Sequence, residues 1–328
     1  MQPSVSIIIP TRNRGAYLPE AVESVLRQTF QDFEVLIIDD GSDVPVDATR
    51  WAQEPRVRVL RNAVGQGVSA ARNRGISEAR GAFIAQLDDD DLWLPAYLER
   101  SVAAFALDAA IGMVGTLIVE VDSRSGVQTL PARRGPAGYN TLKDIFDCSW
   151  PRPSGVVLRK SAVGAAGGYD PLLRGYEDAD IYFRLADRFR CYFIDEPLVH
   201  YRVHGGNVSH KELVMGLDGM RVWKRLLERR PAGIPARSIR RRIARQHYRV
   251  AREYAFRNEF GAALRHMASA LRLWPGVGTS YIREQDSLSQ RAQKTLKPYA
   301  AVAGLSLAAS PLGGWVGEKM KPRLEEAQ

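Results

Sequence analysis

The chain has 328 residues, 45% hydrophobic and 25% charged, a balance that excludes a disordered or collagen-like chain and allows one or two domains with a sizeable core. Its net charge of +9 is uneven: residues 211–328 carry 23 Lys and Arg against 10 Asp and Glu, or +13, which leaves −4 for residues 1–210. An acidic half joined to a basic one points to two regions with different partners.

The first 120 residues alternate short apolar runs with helical stripes. Val5–Ile9, apolar save Ser6, predicts a strand, and Leu18, Val22, Val25 and Leu26 then recur at helical spacing. Val35–Ile38 and Val57–Leu60 predict two further strands, and Val68, Ala71, Arg72, Ile76 and Ala79 a second helix. Phe83–Leu87 predicts a fourth strand, with a helix beginning near Pro95. Strands apolar on both faces that alternate with helices imply a parallel sheet covered on both sides, an α/β fold.

After Ile111–Val121 the pattern changes. Ser123–Gly126 reads as a turn, Pro131–Gly138 as a loop and Val156–Leu158 as a strand. Ser161 is expected to cap a short helix that stops at Gly167-Gly168. Glu177–Phe189 reads as a helix with Asp180 four residues before Arg184, and Cys191–Ile194 and Leu198–Tyr201 as two short strands. From Lys211 onward the sequence is helical and Arg-rich. The two cysteines, Cys148 and Cys191, match no metal-ligand spacing and read as buried free thiols. The first residues lack the basic region of a secretion signal, so a cytoplasmic location is expected.

In an open parallel sheet the ligand crevice lies beyond the carboxyl ends of the strands. Three strand ends here carry polar clusters: Pro10-Thr11-Arg12-Asn13, Asp39-Asp40-Gly41-Ser42 and Asp88–Asp91. Four consecutive carboxylates call for a compensating cation, and hard oxygen ligands select Mg²⁺ or Mn²⁺ bound through one or two carboxylates plus phosphate oxygens.

Four blocks, Ser6–Arg14, Ile37–Ser42, Gly67–Gly75 and Leu87–Asp91, resemble the successive motifs of family 2 glycosyltransferases with the GT-A fold. Gly168-Tyr169-Asp170, Tyr176–Ile181 and Tyr201-Arg202-Val203-His204 resemble the acceptor-side motifs of that family, so the match covers about residues 4–210 in order. The resemblance implies a Rossmann-like sheet with helices on both faces over residues 1–210, a nucleotide-binding half 1–120 and an acceptor half 121–210. A basic α-helical extension, 211–328, would follow.

The implied activity is inverting transfer of a sugar from a nucleotide diphosphate sugar, UDP first among them, to an acceptor hydroxyl in polysaccharide or surface-glycan assembly. Pro10, Thr11, Asn13, Asp40 and Asp89 would line the donor pocket, Asp39 would hold the base and Arg72 would contact the nucleotide. Asp88 and Asp90 would form the D-x-D pair, one near the ribose and one on Mn²⁺ or Mg²⁺, with Asp91 helping and His204 on the metal or diphosphate. Asp178 would be the general base, kept ionised by the dipole of the helix it opens, with Glu177 and Trp150 supporting the acceptor side.

Rival readings remain at this point. Gly65-Gln66-Gly67-Val68-Ser69-Ala70 fits G-x-G-x-x-A, which would make the chain a nicotinamide oxidoreductase, although two strand–helix units precede it. A nucleotidyltransferase or a non-catalytic nucleotide-sugar binding protein uses a similar sheet, and Asp39 excludes neither dTDP nor GDP as donor nucleotide. In the tail, Ile239, Ile243, Val250 and Tyr254 make a narrow stripe among arginines, and Gly261 is expected to separate it from a second helix. That basic face suits anionic lipid headgroups at the inner face of the plasma membrane, or an acidic glycan acceptor; the acceptor of the transfer itself is expected to be a glycan or lipid-linked. Nucleic acid is not expected, since few aromatics interleave with the arginines. Pro298–Gly317 has no charge but contains helix breakers, which argues against a span.

Overall fold

A computed structural model describes residues 2–130, 135–148, 152–205 and 211–277. The chain divides into two compact units, Met1–Asn207 and Val208–Gln328.

The first unit is built on one mixed sheet. Strands β1 (Val5–Thr11), β2 (Phe33–Asp39), β3 (Val57–Arg61) and β4 (Phe83–Gln86) run parallel in the order β3-β2-β1-β4. The sheet continues through β9 (Val156–Arg159), β6 (Ile111–Asp122), β10 (Arg190–Val203) and β5 (Leu92–Trp93), with β7 (Gln128–Thr129) on β6 and β8 (Gly138–Asn140) on β10. The parallel sheet expected of the first 120 residues is thus found in β1–β4, and β9, from the later part of the unit, adds an antiparallel strand between β4 and β6.

Every residue of β1 and β2 is buried, because both faces carry helices. On one face Ile7 and Ile9 pack with Leu18, Val22 and Val25 of α1 (Leu18–Leu26) and with Tyr97 and Leu98 of α3 (Tyr97–Ala106). On the other, Gly75 of α2 (Val68–Glu78) meets Ile8 so closely that an added Cβ would lie 2.5 Å from the Ile8 side chain. This alternation follows from the two-residue period of a strand.

Several predicted boundaries move. The two short strands expected at Cys191–Ile194 and Leu198–Tyr201 are one strand, β10, which pairs with β6 and takes up Pro197 with register shifts on either side. The helix α5 (Lys160–Ala166) starts one residue before Ser161, with Arg159 at the N-cap position and no side-chain cap. It stops at Gly167, whose φ of +83° suits a glycine. The helix α6 (Glu177–Ala186) ends three residues before Phe189. Its expected i,i+4 pair forms, with Arg184 2.7 Å from Asp180. A short helix α4 (Leu142–Asp147) is closed by a capping box between Thr141 and Asp144. Cys191 is buried, whereas Cys148 is only half-buried, and neither forms a disulfide.

The second unit contains α7 (Glu212–Arg229), α8 (Ala236–Phe256) and α9 (Phe260–Leu273). Gly216 of α7 accepts close approach by Val250 of α8, and Tyr248 and Ala251 of α8 pack with Met267 and Ala270 of α9. The break between α8 and α9 falls at Asn258, in the left-handed region at φ +62°, not at Gly261, which lies inside α9. No helix among the described residues is long and apolar enough to cross a membrane. Pro298–Gly317, residues 131–134 of the predicted loop and Trp150 lie outside the described residues.

Candidate functional site

Register places the polar clusters together. Thr11 pairs with Asp39 and Asp39 with Arg61, while the Leu87 amide donates to Ile8, so the three strand ends open on one edge of the sheet. The Thr11 hydroxyl donates to Asp89 at 2.6 Å, joining the first cluster to the acidic run. Asn13 sits in the left-handed region at φ +57°. Its amide donates to Ser42 Oγ at 3.0 Å and its side chain exchanges hydrogen bonds with Asp43. Pro10 is buried within β1.

The second cluster is held from within. Asp39 is 1% exposed and accepts from the Ser42 and Val46 amides and from Arg61 at 2.6 Å. Burial alone would raise its pKa, but the bonds from Ser42, Val46 and Arg61 prevail and hold it below the ordinary carboxylate range. Asp40 accepts from Asn62 at 2.7 Å and from the Gln66 and Gly67 amides. The glycine loop thus gives its amides to a carboxylate of its own chain, which removes the cradle that a dinucleotide pyrophosphate needs. An added Cβ at Gly41 would lie 2.6 Å from the Gly65 amide, so the two turns interlock.

In the acidic run each carboxylate meets a different environment. Asp88 takes Arg72 at 2.7 Å, and Arg72, 2% exposed, also reaches Glu177 at 2.6 Å. Asp91 is wholly buried and turned inward, accepting from Ser154 Oγ and, at 3.1 Å, from the Arg202 amide. Asp90 receives Arg14 and, at 2.9 Å, His204 Nε2 on the same Oδ2. The His204 ring stacks on Tyr17 at 5.0 Å, and Arg202 lies 4.9 Å over that tyrosine while its Nε donates to the Asp90 carbonyl. Burial raises the pKa of Asp88 and Asp91 and lifts Asp89 to about 7; like charge from the neighbouring aspartates adds to this and Arg72, Thr11 and Arg14 oppose it. Additional positive charge at this run would therefore be strongly favoured.

Asp178 is the second residue of α6, and Tyr176 just before the helix holds a left-handed φ of +60°, a conformation that costs a tyrosine free energy. The sequence expectation that the helix dipole keeps Asp178 ionised is corrected. Burial, and then the adjacent Glu177, push its pKa up to about 7 despite the Ala179 amide and Arg72. Asp88 contributes as well, so the acidic run and Asp178 belong to one electrostatic cluster.

The structure thus joins Thr11, Arg72, Asp88, Asp89, Asp90, Glu177, Asp178 and His204 in one site, with Asp39 and Asp40 one strand over. Arg14, Arg202, Tyr17 and Ser154 received no role from the sequence, although Arg14 and Arg202 stand inside quoted motif blocks. Among the described residues no three side chains form a metal cage. The Asp90 carboxylate, with the His204 imidazole beside it, nevertheless offers the hard oxygen that Mn²⁺ or Mg²⁺ would use, ions that typically keep water and phosphate oxygens as remaining ligands.

Comparison with known proteins gives the family and the fold. Residues 6–151 match the family described as Glycosyl transferase family 2. A glycosyltransferase of Nostoc sp. is 31% identical over 213 residues, 62% of this chain and 66% of its own length. The glycosyltransferase YwdF of Bacillus subtilis is 31% identical over 186 residues, 57% of this chain and 69% of its own. Chondroitin synthase of Escherichia coli is 29% identical over 221 residues, but the match spans only 30% of that protein. The crystal structure of S. aureus TarS in complex with UDP-GlcNAc superposes with a TM-score of 0.64 at 17% identity, covering 94% of this chain and 91% of that one. The mannosyltransferase PcManGT of Pyrobaculum calidifontis, in complex with GDP-Man and Mn²⁺, gives a TM-score of 0.56 at 16% identity, covering 99% and 85%. The fold is that of the GT-A glycosyltransferases. The chain belongs to glycosyl transferase family 2.

Proposed function

We propose that this glycosyltransferase moves a sugar from a nucleoside diphosphate donor, UDP in the first place, to a hydroxyl of a glycan or lipid-linked acceptor, with inversion and with help from a divalent ion. The observation that carries the proposal is the shared electrostatic cluster: Asp90 and His204 at one end, Asp178 at the other, linked through Asp88, Arg72 and Glu177. The nucleotide-binding half is residues 1–120, the acceptor half 121–210, and 211–328 a separate basic extension.

Thr11, Asn13 and Asp39 line the nucleotide side, and the base reaches Asp39 only where Arg61 yields its 2.6 Å contact. Asp90 and His204 would hold Mn²⁺ or Mg²⁺, which would supply positive charge against the leaving diphosphate. Asp178 takes the proton of the acceptor hydroxyl as its oxygen bonds to the anomeric carbon and the bond to the diphosphate breaks. A carboxylate with a pKa of about 7 suits that role near neutral pH. Glu177 keeps Arg72 in place beside it. Asp40 and Asp91 act as internal anchors, for the glycine loop and for the start of the His204 segment.

Support for a polysaccharide or surface-glycan role comes from the likeness to chondroitin synthase. The exposed Arg237, Arg240, Arg241 and Arg252 of α8 and the +13 balance of residues 211–328 support peripheral attraction to anionic lipid at the cytoplasmic face of the plasma membrane. Incubation with a panel of nucleotide sugars and Mn²⁺, read as nucleoside diphosphate release and as anomeric configuration by NMR, tests the reading. Release from no donor, or retention of configuration, would overturn it.

A further inference from the structure

The two arginines on the acidic run are not equivalent. Arg72 is 2% exposed and clamped between Asp88 and Glu177. Arg14 is 26% exposed and touches Asp90 on the oxygen that also faces His204, with Asp89 3.3 Å away. The carboxylate best placed for a divalent ion is therefore already covered by a cation of the chain itself, and an arriving metal ion meets the repulsion of a guanidinium on the same oxygen.

The backbone that carries Arg14 is fixed. Its carbonyl accepts from the Tyr17 and Leu18 amides at 3.1 and 3.4 Å, and the preceding Asn13 is tied to Ser42 and Asp43. Only the side chain is left to move. A guanidinium that leaves Asp90 when a doubly charged ion arrives needs a new anion nearby, and the diphosphate brought by the donor is one whose geometry matches its fork of donors.

We propose that Arg14 is a displaceable counter-cation: it covers Asp90 in the donor-free protein, yields it to the divalent ion and then faces the donor diphosphate. This rests on the metal-bridged donor site proposed above. It makes metal binding weak alone and stronger with the nucleotide, because only the fraction of protein with Asp90 uncovered accepts the ion.

The test is Mn²⁺ titration of the full chain by electron paramagnetic resonance, wild type against Arg14→Gln, followed by UDP titration at saturating Mn²⁺. The variant should bind Mn²⁺ alone about tenfold more tightly, since the competing cation is gone. It should bind UDP about tenfold more weakly once Mn²⁺ is saturating, since a charge-assisted contact is lost. Damage to the fold would weaken both, and Mn²⁺ affinity that is unchanged or lower in the folded variant would overturn the role of Arg14. If the variant does not fold, phenylglyoxal labelling of the wild type decides: Mn²⁺ alone should increase modification of Arg14 and Mn²⁺ with UDP suppress it. Labelling indifferent to Mn²⁺ would overturn the proposal. A wild type that binds no Mn²⁺ even with UDP would overturn the metal-bridged donor site itself, and the counter-cation with it.

Discussion

Replacing Arg72 with methionine should be the most destabilising single change in the site. The substitution keeps much of the apolar stem but removes the cation that meets Asp88 at 2.7 Å and Glu177 at 2.6 Å. Removing one partner of a buried ion pair typically costs about 3–5 kcal/mol, because the other charge stays buried without compensation. The Asp88 side chain is 27% exposed and Glu177 11%, so water softens the loss and places it near the low end, about 3 kcal/mol. For a unit of about 200 residues this corresponds to a fall in Tm of roughly 6–12 °C. Arg72→Lys should recover part of the loss, since an ammonium serves one carboxylate well but not two in a fork. The deficit should also shrink on acidification, because burial already raises Asp88 and a protonated Asp88 no longer needs Arg72. Urea and thermal unfolding of the full chain, followed by circular dichroism, measure all three. A loss below about 1 kcal/mol, the size of an exposed ion pair, would refute the argument that Arg72 compensates two buried charges.

Asp178→Asn should reduce transfer by about 10²–10⁴-fold with UDP affinity unchanged, and kcat/KM of the wild type should rise with pH through about 7 as Asp178 loses its proton; a flat profile would count against the base assignment. Asp89 and Asp178 are both raised above their unfolded values, so their stabilising protonation is present below about pH 4 and lost as pH rises through about 7. The metal-free protein should thus lose stability over that window relative to Asp89→Asn, and identical pH dependence in the two would contradict the shift. In the second unit, His247 Nδ1 lies 3.1 Å from His266 Nδ1; burial first, then His266 and Lys224, lower His247 to about 4, and burial and Arg265 lower His266. Their neutral forms stabilise the unit above pH 6.5, and that contribution is lost as pH falls toward 4, so His247→Gln should flatten acid unfolding, measured by tryptophan fluorescence.

Much of the first unit was legible because parallel strands buried on both faces read as near-continuous apolar runs, as β1 does save Ser6 before its polar end and β2 does between Glu34 and Asp39. The convergence of Thr11, Asp39 and Asp88 followed from topology, since register along β1 and β2 fixes where their ends open. Features set by non-local pairing were not legible. Pro197 reads as a strand breaker, yet β6 supplies enough partners for β10 to run past it. Asp40 looks like a ligand residue by its place in the motif, and only the positions of the Gln66 and Gly67 amides show that its carboxylate is also engaged within the chain. The raised pKa of Asp178 escaped the sequence for the same reason. Its place in α6 is local information, whereas its burial beside Glu177 and Asp88 is made by the whole unit.

In the proposed site a nucleoside diphosphate is held through a divalent ion at Asp90 and His204. Thermal unfolding with UDP, GDP, dTDP or NAD, each with Mn²⁺ and with EDTA, tests it directly. Stabilisation by UDP with Mn²⁺ that disappears in EDTA and in Asp90→Asn is the predicted result; stabilisation by NAD that EDTA leaves untouched would contradict it.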